Sequence, residues 1–248
     1  MTIDATGLDY RLLNEQVRTS GGIHTVIKNC IGQRFIGAAR KTGTLEIYGT
    51  PGNALGAYLD GAEIVVRGNA QDAVGDTAND GRIVVHGSIG DAAGYAMRGG
   101  KLFVRGDAGY RAGVHMKAYG DRHPSIVIGG SAGSFLGEYL AGGTIVVLNL
   151  AGKPLPIGAF TGTGMHGGRI LVRCAASEAA PLLDTLSQTL PEQVCAAYAA
   201  PEDVAAVSGL LKEFCELFSV DFHDIIESSY VLLTPNARNP YKKLYAFN

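Results

Sequence analysis

The hydrophobic positions between residues 32 and 173 repeat every 19 residues. In each repeat, two positions that lie two residues apart are filled only by aliphatic side chains. The first row is Leu45, Ile64, Ile83, Leu102, Ile126, Ile145 and Ile170, and the second is Ile47, Val66, Val85, Val104, Ile128, Val147 and Val172. Because residues two apart share one face of a strand, each pair predicts a short strand with an inward face.

Glycines recur in the same register. One glycine closes each strand-like run and another precedes the next run, giving two rows: Gly49, Gly68, Gly87 and Gly106, then Gly37, Gly56, Gly75, Gly94 and Gly113. A 19-residue unit is too short for two helices, and each glycine in a helix interior costs about 1 kcal/mol relative to alanine. Stacked copies of a short unit can instead bury a shared core. The pattern predicts an all-β fold: a right-handed parallel β-helix of about seven 19-residue coils, with a small α-helical C-terminal appendage.

Three segments follow from the repeat. Residues 1–31 form an N-terminal lead-in, residues 32–173 the repeat domain, and residues 174–248 a helical extension with a docking tail. Residues 117–125 lengthen one unit by five residues, which a repeat protein accommodates as a loop. Helical spacing of apolar residues predicts helices over 176–190 and 201–218, and residues 230–248 predict an extended docking tail.

An outward row lies between the two inward rows. It consists of Glu46, Val65, Val84, Phe103, Val127, Val146 and Leu171, so six of its seven positions are apolar. An exposed sheet would be polar there, and an apolar stripe with charged neighbours marks a covered surface. Two covers remain open at this stage, the chain's own C-terminal helices and a partner protein.

Charge and composition restrict the possible functions. The chain carries 21 Lys and Arg against 23 Asp and Glu, a net charge of −2, so no basic field favours nucleic acid. No run of 18 apolar residues predicts a membrane span, and the polar N-terminus lacks the features of a signal peptide, so we expect a cytoplasmic protein. The four cysteines form no CxxC or other ligand pair, which favours reduced thiols.

No residue is predicted to be catalytic, to bind a cofactor or to ligate a metal. The glycine-rich segment 90–94 resembles a phosphate loop, but it recurs in every unit and no GKS or GKT sequence follows it. The six histidines include no HExxH pair, and there is no GxSxG motif. His115, His123 and His166 lie near the insertion and the last repeat and could cluster, although surface or hydrogen-bonding roles are commoner. We therefore expect no activity from this chain alone.

Residues 130–150 (GSAGSFLGEYLAGGTIVVLNL) and 162–173 (GTGMHGGRILVR) resemble the GXGXG domain at the C-terminus of the glutamate synthase large chain. The resemblance covers about residues 20–173, with Asn149 where the glycine row would continue. It implies a stand-alone structural subunit of a glutamate synthase-like hetero-oligomer that forms glutamate or N-methylglutamate. It also implies two partners, a class II glutamine amidotransferase subunit and an FMN-dependent glutamate synthase-like subunit. FMN and iron–sulfur clusters would then belong to a partner, with no cofactor in this chain.

Two other interpretations stay open. The C subunit of formylmethanofuran dehydrogenase, or of the related formyltransferase/hydrolase complex, is similar to the same repeat domain and would have a structural role in one-carbon metabolism. A carbohydrate-acting enzyme would need clustered carboxylates on one outer face, and Asp72, Asp76, Asp91 and Asp107 form a weak set.

Overall fold

A computed structural model of the chain describes residues 1–20 and 24–236. Its strands are β1 (Thr2–Asp4), β2 (His24–Ile31), β3 (Thr44–Thr50), β4 (Asp60–Val66), β5 (Asp80–Val85), β6 (Lys101–Val104), β7 (Ser125–Ile128), β8 (Ala141–Val147), β9 (Gly167–Cys174), β10 (Val194–Tyr198) and β11 (Ser229–Pro235). The helices are α1 (Tyr10–Thr19), α2 (Ala179–Thr189), α3 (Pro201–Ala205), α4 (Ser208–Phe218) and α5 (Phe222–Ile226), and one turn of 3-10 helix, Ala176–Glu178, precedes α2.

All eleven of these strands belong to one sheet, in the order β1 to β9 and then β11 and β10. Strands β1 to β9 pair in parallel with their neighbours in sequence, whereas β11 pairs antiparallel with both β9 and β10. The register follows the 19-residue repeat, since Ile64 pairs with Ile83 and Ile83 with Leu102. Equivalent residues of successive repeats are therefore direct neighbours in the sheet.

The predicted all-β, right-handed parallel β-helix is wrong. The described residues form an open, mixed sheet with helices packed on it, an α/β arrangement that ends in two antiparallel strands. Between the parallel strands lie turns, joined by single bridges such as Ala70 to Ile89, and not a further set of strands. The physical reason is backbone geometry, because these turns repeatedly place residues at positive φ, which strand conformation excludes.

The main core lies on the inward face of the sheet. Both inward rows are buried there together with apolar rows from the turns, which include Leu55, Val74, Leu59 and Met97. Helix α1, which Asp9 caps by accepting hydrogen bonds from two backbone amides, adds Leu13 to this cluster. Helix α2 packs against β10 and β11 and adds Leu182 and Leu186.

A second apolar cluster covers the outward row. Phe103 and Val146 are fully buried with Leu211, Phe214 and Phe218 of α4. The chain's own C-terminal helices are therefore the cover, which decides between the two alternatives that the sequence left open.

Ion pairs at the rim fix α4 over the sheet. Glu213 of α4 accepts hydrogen bonds from Arg82 at 2.8 Å and from Lys101 at 2.6 Å. The two cations belong to successive strands, β5 and β6, and occupy equivalent positions. One helix carboxylate thus ties two repeats together.

The predicted docking tail divides at Pro235. Residues 229–235 form β11, an integral strand of the sheet, and residues 237–248 lie outside the described part of the chain. Helices are present within the predicted spans 176–190 and 201–218. The division of the chain into three segments stays a prediction. Within residues 1–20 and 24–236, no helix has the length and hydropathy needed to cross a membrane.

Candidate interaction surface

The turns between the parallel strands line up along one side of the molecule, which we call the turn edge. It consists of residues 35–39, 54–58, 73–77, 92–96, 111–115, 135–139 and 160–164. In every one of these turns the first, third and fifth residues have positive φ, and the third is always glycine. In one turn, for example, φ is 55° at Ala92, 69° at Gly94 and 50° at Ala96.

Hydrogen bonds to both neighbouring turns hold this conformation. The amide of Ala92 donates to the carbonyl of Tyr110 in the next turn at 2.7 Å, and Ala96 donates to Val114 at 2.9 Å. The amide of Gly94 points the other way and donates to the carbonyl of Val74 in the preceding turn at 2.7 Å. Because each turn satisfies its backbone groups on the turns beside it, the stack imposes the positive φ values.

Each turn contains both inward and outward positions. A Cβ atom built on Gly94 would lie 2.5 Å from Cδ1 of Ile126, so the glycine faces the core. Several of the first and fifth positions are exposed and carry rings. Tyr58 and Phe160 are each 56% exposed, and Phe35 and Tyr139 are also exposed.

Three rings form a row in the middle of the turn edge. His115 stacks on Tyr139 with ring centroids 5.0 Å apart and planes only 5° apart. Tyr95 meets the same histidine edge-on at 5.9 Å. Offset stacked and edge-on geometries are the favourable ones for such rings. The row therefore presents a pre-arranged aromatic surface.

A second aromatic group lies at the first positions of the last three turns. Phe135 and Phe160 stack with centroids 5.0 Å apart, and the guanidinium of Arg111 lies 4.8 Å from the centre of the Phe135 ring. Arg111 also pairs with Glu138 at 3.0 Å. Stacking and the ion pair hold this arginine in one orientation, beside exposed aromatic surface.

Folding stability does not account for these exposed rings. A residue other than glycine at positive φ costs of order 1 kcal/mol, and a half-exposed ring gains little burial in return. Aromatic residues and arginine are enriched in protein interfaces. The turn edge is therefore the candidate interaction surface.

The three histidines that the sequence grouped have different surroundings. His115 lies in the ring row, His123 is exposed in the insertion, and Nδ1 of His166 lies 3.0 Å from the carbonyl oxygen of Gly164. Within residues 1–20 and 24–236, no group of three or more His, Cys, Asp or Glu side chains could hold a metal ion.

Three of the cysteines lie in the interior. Burial raises the pKa of the Cys30 thiol to about 11, and it also raises the pKa values of Cys174 and Cys215. These thiols are protonated at neutral pH and are poor nucleophiles. Cys195, on β10, is exposed, and all four cysteines are free.

Three of the four aspartates weighed as an outer acidic set, Asp72, Asp91 and Asp107, link neighbouring repeats through hydrogen bonds. Asp72 accepts the backbone amide of Asp91 at 2.9 Å, and Asp91 accepts that of Tyr110 at 2.8 Å. Asp107 accepts the amide of Ser131 at 2.6 Å in the same way, and these hydrogen bonds lower its pKa. The carboxylates are thus engaged in holding one repeat to the next.

Sequence reasoning missed the turn edge. The available signal was the fixed register of aromatic residues two positions before or after the inner glycine, as in Phe35 before Gly37 and Tyr58 after Gly56. Only some repeats carry a ring at these positions, so the row is hard to recognise without the structure.

Comparison with known proteins places the chain in a family. The profile of the GXGXG-motif family matches residues 8–235. An uncharacterized protein of Methanocaldococcus jannaschii, MJ1350, is 42% identical over 259 residues, which cover 99% of this chain and 96% of that protein. A match of this extent leaves no large part of the chain outside the family.

A solved structure has a similar fold. It is a chain of the formyltransferase/hydrolase complex from Methylorubrum extorquens in complex with methylofuran, with a TM-score of 0.61 over 92% of this chain and 89% of that chain. The two are 21% identical, so the likeness concerns the fold alone. The family match confirms the resemblance to the GXGXG domain of glutamate synthase, and the chain belongs to the GXGXG-motif family.

Proposed function

We propose that this chain is a non-catalytic structural subunit of a hetero-oligomeric complex of the formyltransferase/hydrolase type, with a role in one-carbon metabolism. The observation that carries the proposal is the turn edge, where aromatic side chains are exposed on a backbone that the repeats hold rigid. The similar fold of a chain in the formyltransferase/hydrolase complex supports the choice of assembly.

The turn edge has the properties of a docking surface. Tyr58, Tyr139 and Phe160 are exposed anchors of the residue type that dominates interface energetics. The amides of Tyr58 and Tyr139 each donate to the next turn at 2.7 Å, so little backbone freedom is lost there when a partner binds. The outward face of the sheet, in contrast, is already covered by α4. A partner therefore finds its aromatic contacts on the turn edge.

A glutamate synthase-like assembly is the second candidate. Membership of the GXGXG-motif family favours it, because that domain is part of the glutamate synthase large chain. In that case the partners would be a class II glutamine amidotransferase and an FMN-dependent synthase, and FMN and iron–sulfur clusters would reside in them. The two candidates share a structural role for this chain and differ in the partners.

Purification of the tagged chain from its native cell tests both candidates. We expect formyltransferase and hydrolase subunits in stoichiometric amounts by mass spectrometry. A double variant, Tyr58→Ser with Tyr139→Ser, should lose these partners while its melting temperature stays close to that of the wild type. The matched control is Tyr198→Ser on β10, since Tyr198 is as exposed as Tyr58 but lies outside the turn edge.

Recovery of an amidotransferase and an FMN protein would instead select the second candidate. A chain that purifies without stoichiometric partners would contradict both. If the double variant retained its partners as well as the Tyr198→Ser control does, docking through the turn edge would be wrong.

A further inference from the structure

A cleft of about 880 Å³ opens beside the ring row of the turn edge. The insertion at residues 117–125 forms one wall, and two earlier repeats form the other. Its polar lining comes mainly from Asn79, Arg98, His115, Lys117, Tyr119 and Arg122. The volume is in the range of small-molecule sites.

The insertion is folded and anchored. Tyr119 and Arg122 exchange backbone hydrogen bonds of 3.0 and 3.1 Å around a tight turn that contains Gly120 at φ +57°. The guanidinium of Arg122 donates to the carbonyl of Asn79 at 3.3 Å and lies 3.6 Å from the carboxylate of Asp60. The hairpin is thereby tied to residues of two other repeats, which gives the cleft a fixed wall.

Positive charge is concentrated in this cleft. Arg98 and Lys117 are exposed, and neither side chain forms a hydrogen bond or ion pair within the described residues. Arg122 adds a third cation, partly neutralised by Asp60. Asp121 is the one carboxylate among the lining residues. Since the whole chain has a net charge of −2, the excess is local.

We propose that this cleft binds a small, multiply charged anion, a polyphosphate or polycarboxylate group. The planar fork of Arg98 suits two-point contact with either kind of oxyanion, and Lys117 adds a compact charge with three donors. His115 and Tyr119 offer ring surface beside the charged groups to the remainder of the ligand. This proposal goes beyond the structural role and does not depend on it.

Calorimetric titration of the purified full chain at about 0.15 M salt, where the Debye length is about 8 Å, tests the proposal. The probes are tripolyphosphate and, separately, citrate. We expect saturable one-to-one binding of at least one of them. Arg98→Gln and Lys117→Gln should each weaken binding by about threefold to tenfold, because each variant removes one close charge pair with the anion. Both variants should melt at the wild-type temperature without anion, since neither side chain has a structural partner in the described residues.

The matched control is Arg105→Gln, which removes the same charge from a residue that does not line the cleft. Its affinity should stay within about twofold of wild type, because charges beyond roughly one Debye length are screened. Tighter binding of tripolyphosphate would identify phosphate as the ligand chemistry, and tighter binding of citrate would identify carboxylate. The proposal would be overturned if neither anion bound saturably, or if Arg105→Gln weakened binding as much as the cleft variants do.

Discussion

Replacement of Gly94 by alanine tests why the inner position of this turn is glycine. The backbone conformation does not suffice as a reason, because Ala92 and Ala96 on either side also have positive φ. What distinguishes Gly94 is the direction in which a side chain at this position would point. A Cβ there would lie 2.5 Å from Cδ1 of Ile126 and 3.5 Å from its Cγ1. Close packing against the core therefore explains why glycine is required at this position.

Gly75 provides a matched comparison for the magnitude. It occupies the same position of an earlier turn with nearly the same φ, 71° against 69°, but its nearest neighbour would be Ile83 Cδ1 at 3.4 Å, an ordinary contact. Gly75→Ala should lower the free energy of unfolding only by the conformational penalty, about 1 kcal/mol. Gly94→Ala should carry the same penalty and an overpacking cost of about 1–3 kcal/mol, so its free energy of unfolding should fall by roughly 2–4 kcal/mol in total.

Chemical denaturation of both variants gives the free energies of unfolding that check this difference. Ile126→Val removes the clashing Cδ1 atom, so in the Gly94→Ala background it should restore part of the lost stability. In the wild-type background the same substitution should cost about 0.5–1.5 kcal/mol. Equal losses at Gly75 and Gly94, together with no rescue by Ile126→Val, would refute the packing explanation.

Three further predictions concern the core and α4. Val85→Asp should leave the chain unfolded or insoluble, because the fully buried position offers no partner for a carboxylate; a soluble variant with native circular dichroism would contradict this. Phe103→Ala should cost about 3–5 kcal/mol in urea unfolding, since the ring is fully buried under α4; a loss below about 1 kcal/mol would refute that cover. Burial raises the pKa of Glu213, but hydrogen bonds from Lys101 and Arg82 outweigh it and hold the pKa below its usual value of 4.5. The stability that Glu213 contributes is therefore present above about pH 4.5 and lost as the pH falls through the lowered pKa, so Glu213→Gln should flatten the acid limb of unfolding free energy against pH. An unchanged acid limb would contradict the assignment.

The inward rows and their register could be predicted from the sequence. Each repeat has two buried positions two residues apart, and the repeats follow one another every 19 residues. Only one strand register buries all of these positions on one face, with Ile83 paired to Leu102 and Val85 to Val104. The apolar outward row predicted a covered surface at Phe103, and the structure supplies α4 as the cover. Periodicity predicts both features because the alternation of apolar and polar residues along a strand shows which of its faces is buried.

The sheet's antiparallel end could not be predicted in this way. Strand β11 pairs with β9, more than 50 residues earlier, and β10 pairs only with β11. Short apolar runs such as residues 229–235 are ambiguous between strand and helix, and nothing local specifies so distant a partner. This is why residues 174–248 were predicted as a helical extension with a docking tail and not as two further strands of the sheet.

The conformation of the turns and the presence of the cleft could also not be predicted from the sequence. Alanine and aromatic residues rarely adopt positive φ, so the conformation of Ala92 or Tyr58 depends on hydrogen bonds to neighbouring turns that no single turn encodes. The cleft depends on Arg122 folding back to the carbonyl of Asn79, a contact across 43 residues. Both features arise when the repeats stack on one another. The sequence pattern reveals that stacking only through the rows of buried side chains.

Hydroxyl-radical footprinting of the native complex tests the structural role at the turn edge most directly. The oxidation rates of individual side chains are compared between the isolated chain and the assembled complex. Our account predicts that Tyr58, Tyr139 and Phe160 are protected in the complex, while Tyr198 on β10 is oxidised at the same rate in both. Equal oxidation of the three turn-edge rings in the free and assembled states would contradict it.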